Sequence, residues 1–108
     1  MSAKVARIIK EVSLQSQTAS VPTTTLVTPG EAKMFRVSVA GSQSGPGDAI
    51  CQVNWTDDLS SQMVNTTLGL GTWTTFAIHS VAGQPVTFDV GLFPGPSTYN
   101  CYITLEEL

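Results

Sequence analysis

Apolar and polar residues take strict turns from Thr98 to Leu105, the stretch that most narrows what this chain can fold into. Side chains along a strand point to opposite faces with a period of two, so Tyr99, Cys101, Ile103 and Leu105 fall on one face and Asn100, Tyr102 and Thr104 on the other. A strand of that kind is half buried and needs partners on both sides. The rest of the chain supplies them. Lys33 to Ala40 alternates with Phe35, Val37 and Val39 inward and Met34, Arg36 and Ser38 outward. In Ala49 to Thr56, Cys51, Val53 and Trp55 share a face, and Val86, Phe88, Val90 and Leu92 form the most regular apolar face of all. Thr72 to His79 places Thr74, Phe76 and Ile78 on one side and Trp73, Thr75, Ala77 and His79 on the other.

Three further segments are less regular. Ala19 to Thr28 is strand-like, but Pro22 removes a ladder donor, which points to an edge or a kink. Gln62 to Leu68 has mixed polarity and is expected near an edge, with Gly69-Leu70-Gly71 breaking it. Residues 3–14 read two ways. Val5, Ile8, Ile9 and Val12 have helical spacing, whereas the β-branched content and the alternation of Ile8, Val12 and Leu14 suit a strand or an extended arm. The preferred division is an arm or first strand over residues 1–14 and a sandwich domain over 15–108.

Turn residues punctuate these runs at Pro29-Gly30, Asp57 to Ser60, Ala82 to Pro85 and Phe93 to Ser97. Gly41 to Asp48 reads as a loop throughout. About eight short strands at near-regular spacing predict an all-β, antiparallel β-sandwich of jelly-roll type. Composition agrees, since the 14 Thr, 11 Ser and 11 Val are residues of strands and turns. A chain of 108 residues forms one domain, burying roughly 65% of its unfolded surface. Tyr99-Asn100-Cys101 copies the Tyr-x-Cys corner of an immunoglobulin-type domain, but the rest of that pattern is missing. The chain lacks a strand after Leu108 and a Trp a dozen residues after Cys51.

Few residues suggest chemistry. His79 is the single histidine, no nucleophile-elbow pattern surrounds any Ser or Cys, and the chain is expected not to be an enzyme. Asp57-Asp58 lacks the spaced ligands of a calcium loop and reads as turn capping, while Gly41 to Asp48 lacks the ending of a phosphate-binding loop. No cofactor and no small-molecule substrate are expected. Cys51 and Cys101 carry no metal spacing and read as free core thiols. Asn54-Trp55-Thr56 and Asn65-Thr66-Thr67 match glycosylation sequons by coincidence of a Thr-rich sequence. With a net charge of −3 and an acidic body, the protein has no basic stripe for nucleic acid. It also has no apolar run for a membrane and no secretion signal, so synthesis in the cytoplasm is expected.

What remains are candidate contact residues. Lys4, Arg7 and Lys10 make the first ten residues basic. Trp73 faces outward beside His79 if Phe76 and Ile78 fill the core, and is itself core if the register is reversed. An alternative role for the aromatics is a carbohydrate-binding or cell-surface recognition module using Trp73, Tyr102 and loop residues.

Three blocks carry a resemblance: Leu14 to Pro29 leading into Met34 to Val39; Cys51 to Asp58; and Phe76 to Val90 with the closing Tyr99 to Glu106. In that order they resemble small bacteriophage-type virion proteins whose domain is similar to the C1q and tumour-necrosis-factor jelly rolls. The resemblance implies a structural role on a phage particle, as a capsid decoration or tail-fibre component. It further implies self-association as a homotrimer and no catalytic residue; Lys4, Arg7, Lys10, Trp73 and His79, singled out above by charge and exposure, are then the candidates for contact with other virion proteins.

Overall fold

A computed structural model describes residues 7–93 and 97–108. Eight strands follow one another: β1 (Arg7–Gln17), β2 (Val21–Val27), β3 (Lys33–Ser44), β4 (Ala49–Thr56), β5 (Ser61–Thr67), β6 (Thr74–Ser80), β7 (Val86–Leu92) and β8 (Thr98–Glu107). A single 3-10 turn, η1 (Leu68–Leu70), interrupts them. They form two antiparallel sheets, sheet A in the order β1-β8-β3-β6 and sheet B in the order β2-β7-β4-β5. The first strand pairs with the last, the second with the seventh, the third with the sixth and the fourth with the fifth. A long two-stranded ribbon has therefore been rolled into a sandwich, which is the jelly-roll connectivity expected from the sequence.

The inward faces are those the alternation predicts. Phe35, Val37, Val39, Cys51, Val53, Val86, Phe88, Val90, Tyr99, Cys101, Ile103 and Leu105 are all buried in one core. Trp55 and Phe76 close it at the β5–β6 side, with ring centroids 5.9 Å apart. β2 and β5 are edge strands, as Pro22 and the mixed polarity of β5 imply. From Arg7 onward the N-terminal segment is a strand running through Gln17, paired along β8. Its helical spacing is overridden because β8 offers an open edge and Ile9, Val12 and Leu14 pack on the core.

Three boundaries differ from the sequence reading. β3 continues through Ser44, so Gly41 to Ser44 belongs to the strand and the loop shrinks to residues 45–48. The ladder explains this, since β8 is long enough to pair Gly41 with Cys101 and Ser44 with Thr98. Gly41 is required there. A Cβ at that position would strike the Asn100 carbonyl and lie 2.8 Å from Leu68 Cδ2. Leu68, read as the end of a strand, instead begins η1 and is buried beneath that glycine. β6 starts at Thr74, two residues later than its alternation suggests.

Tyr99 takes the place of an immunoglobulin corner in a different way. Its hydroxyl donates to the Ala19 carbonyl at 2.6 Å, tying the last strand to the crossing from β1 to β2. Burial pushes its phenol above the usual range. Leu92 N–H donates to Ser20 Oγ at 3.1 Å beside it. The shortened 45–48 loop is held likewise, with Gln43 accepting from Ala49 N–H at 2.8 Å and Ser97 Oγ accepting from Gly47 N–H at 2.8 Å.

Candidate interaction face

Sheet A turns one face to the core and the other to solvent, and register places the outward residues in rows. Across the sheet these rows read Ile8, Glu106, Arg36, Ala77; then Glu11, Thr104, Ser38, Thr75; then Ser13, Tyr102, Ala40. Cross-strand neighbours on one face interact as units. Arg36 Nη1 lies 3.9 Å from Glu106 Oε1, Ser38 and Thr75 share a hydroxyl hydrogen bond at 3.1 Å, and Asn100 donates to Ser42 Oγ at 2.8 Å.

Trp73 immediately precedes β6 and has the parity of its outward residues. It is 59% exposed, which resolves the register question in favour of the outward placement. The last β3–β6 pair is Val39 with Thr74, and Ala40, the next residue on β3, is buried although it belongs to the outer face. Tyr102 pairs with Ala40 on the outer face, and Trp73 stands one residue past the end of the β3–β6 ladder, on the half of the sheet nearer the 45–48 loop. Met34, 44% exposed, pairs with His79 toward the opposite end, and Ile8, 53% exposed, lies on the far strand.

The five contact residues suggested by the sequence do not converge. Lys4 lies outside the described residues. Arg7 is engaged at the end of the sandwich, its Nη2 2.8 Å from Glu107 Oε2, while Lys33 Nζ holds the other oxygen of that carboxylate at 2.5 Å. The Lys33 and Arg7 hydrogen bonds hold Glu107 below the usual carboxylate range. Lys10 is exposed on edge strand β1, where charge discourages pairing with another sheet. Trp73 and His79 share a face, but β6 separates them by about 20 Å at its rise per residue. β1 and β6 are opposite edges of sheet A, so Arg7 and Lys10 are separated from both by three strand spacings, about 14 Å across the sheet alone.

His79 Nδ1 is 3.7 Å from Asp58 Oδ2. Neighbouring Asp57 caps the β4–β5 turn, as expected. Its Oδ1 accepts from Ser60 N–H at 3.0 Å and Leu59 N–H at 2.8 Å, and these two bonds lower its pKa. Among the described residues no three His, Cys, Asp or Glu side chains gather as metal ligands. Tyr102, selected with Trp73 in the carbohydrate-binding reading, belongs to the face, as do Ala40 and Met34, which sequence reasoning did not select as contact residues. The available signal was a large apolar residue at an outward parity.

No family model matches the chain, and no curated protein matches it. Among solved structures it is similar to a chain of the Bacillus endospore appendages, described as a novel family of disulfide-linked pili. The identity is 10% and the TM-score 0.44, covering 100% of this chain and 95% of that one. It is also similar to a chain from work on CBM4 structure and function, with 14% identity, a TM-score of 0.37 and coverage of 95% and 78%. Both likenesses are remote.

Proposed function

We propose that this β-sandwich is a structural module that self-associates through the outer face of sheet A, with a bacteriophage particle as its setting and the homotrimer as its unit. The observation that carries the reading is the exposed Trp73, one residue past the end of the β3–β6 ladder, on the same outer face as the paired Tyr102 and Ala40. An exposed large aromatic sharing a face with a closed-over small residue is the composition of a contact centre, because it gives up much apolar surface for little conformational entropy. The phage setting rests on the resemblance of the three sequence blocks. The test is native mass spectrometry of the wild-type protein and Trp73→Ser. A closed oligomer for the wild type that falls to monomer in the variant supports the reading. A wild-type protein that stays monomeric at high concentration, and is missing from assembled particles, overturns it.

A second reading is a carbohydrate-binding module. Tyr102 and exposed Trp73 share the outer face, and the Asn100 amide and Ser42 hydroxyl lie one row from Tyr102, so aromatic rings share a face with polar groups able to meet sugar hydroxyls. Quenching of Trp73 fluorescence by soluble oligosaccharides, lost in Tyr102→Ala, supports it. Silence across a glycan array argues against it.

A further inference from the structure

We infer that the free edge of β5 is a second contact, through which a copy in one closed oligomer pairs with β5 of a copy in another. The inference rests on the self-association proposed above and adds the link between assembled units. An edge strand offers unpaired N–H and C=O groups to any other strand, and proteins that stay apart blunt it with charge, proline or bulges. The four edges of this sandwich are blunted unequally. β1 carries Arg7, Lys10 and Glu11 exposed, and its ladder shifts register twice. β2 carries Pro22 and also shifts register twice. β6 is engaged at one end, where Val81 N–H donates to the Thr56 carbonyl at 3.0 Å and His79 lies by Asp58. β5, from Ser61 to Thr67, has no charge, no proline and an unbroken register against β4.

Hydrogen bonds at both ends of β4 fix which groups β5 offers. Asp57 N–H donates to the Ser60 carbonyl at 3.1 Å, and Phe93 N–H donates to the Asp48 carbonyl at 2.8 Å. Hydrogen-bonded and non-hydrogen-bonded pairs alternate along an antiparallel ladder. Val53 and Val64 are therefore a bonded pair of β4 and β5, whereas Met63 and Asn65 turn their N–H and C=O groups away from β4, to the open edge. Met63 is 61% exposed there.

The strand is complementary to itself. A two-fold axis at Val64 sets Met63 opposite Asn65 in both directions, so the outward-turned groups exchange backbone hydrogen bonds and the half-buried Val64 side chains meet at the axis. It also sets Gln62 opposite Thr66. Thr66 Oγ1 is buried without a hydrogen-bond partner among the described residues, and an amide N–H opposite it can donate. The Gln62 amide now meets Ser60 Oγ at 3.3 Å and Asp57 Oδ1 at 3.5 Å, long bonds that it can exchange for a better one. Seven residues make too short a ribbon to hold two lone chains together, because a single pair of strands is marginal in water. Each closed oligomer presents several β5 edges, and a unit held at more than one is retained by effective concentration. A two-fold contact between closed units leaves other edges free, so growth continues into a larger array.

The experiment is sedimentation velocity on the full chain at rising concentration, for the wild type, Asn65→Pro, Asn65→Lys and Trp73→Ser. The wild type should pass from the closed oligomer to larger species, in which the Met63 and Asn65 amides exchange hydrogen more slowly. Asn65→Pro removes an edge donor that β4 does not use, and Asn65→Lys places a charge on an exposed position. Both should stop at the closed oligomer, and the lysine variant should melt as the wild type does. Trp73→Ser should lose the larger species together with the closed oligomer. Larger species that persist in the Asn65 variants, unchanged amide exchange within them, or a wild type that stays a closed oligomer at every concentration each overturn the β5 contact and leave the sheet A face standing. A monomeric wild type overturns the sheet A reading, and the β5 contact with it.

Discussion

Sheet A has two sides made by the same four strands, and they obey different rules. On the inner side Phe35, Val37, Val39, Ile78, Tyr99, Cys101, Ile103 and Leu105 are sealed from water. On the outer side the residues between them include an Arg36–Glu106 pair, hydroxyl hydrogen bonds and an exposed Trp73. The first side holds the fold together through close packing, where a single missing methylene is felt. The second side can change with little effect on the monomer, and so is free to serve contacts.

Substitutions order themselves by which side they touch. The largest effect belongs to the inner side, where Phe35→Ala removes a buried ring and should cost about 3–5 kcal/mol, read as a drop in the urea midpoint. A value under about 1 kcal/mol would mean that the core repacks and that the two sides differ less than their burial implies. Gly41→Ala comes next, at about 1–3 kcal/mol, because the added methyl meets the Asn100 carbonyl and Leu68. Tyr99→Phe keeps the ring and loses the hydrogen bond to Ala19, so about 1 kcal/mol is expected, measurable by thermal melting.

Glu107 sits at the end where the two sides meet, and its contribution is visible in pH dependence. Its pKa is lowered in the folded protein by Lys33 and Arg7, so it binds protons more weakly there than in the unfolded chain. The stability it adds is present above the ordinary glutamate range and is lost as pH falls below about 4 through the folded value. Glu107→Gln should therefore melt lower than wild type at pH 7, with the gap closing toward pH 3. A gap that persists in acid would assign the effect to packing. The smallest effect on the monomer is that of Trp73→Ser, within about 0.5 kcal/mol, although it should abolish self-association in native mass measurements. A large loss of monomer stability from this change would make Trp73 part of the core's cover and erase the distinction.

Much of the fold was legible because burial in a sandwich imposes a period of two on every strand. The inward sets of β3, β4, β7 and β8 could be read residue by residue. Pro22 marked the β2 edge, and Asp57 marked a capped turn. The misread places have a common cause. Gly41 to Ser44 looked like a loop because its local composition is that of loops, yet β8 provides a ladder long enough to keep it extended. Leu68 looked like the end of a strand, while its role is to fill the space left by a glycine 27 positions earlier. The candidate site was less legible. Trp73 and His79 were rightly assigned to one face, but alternation carries no information on distance along a strand or between strands. The structure sets them at opposite ends of β6 and puts Arg7 and Lys10 at the far edge of the sheet.

By itself the sequence determined the class of fold, the strands and the residues that face inward, since these depend on local alternation and turn chemistry. Tertiary structure alone decided which strands are neighbours. Pairing joins residues far apart in the chain, and its energy lies in contacts that no local pattern contains. That decision pairs Tyr102 with Ala40 on the face that carries Trp73, ties Arg7 and Lys33 to Glu107, and brings Cys51 and Cys101 from opposite sheets into one core.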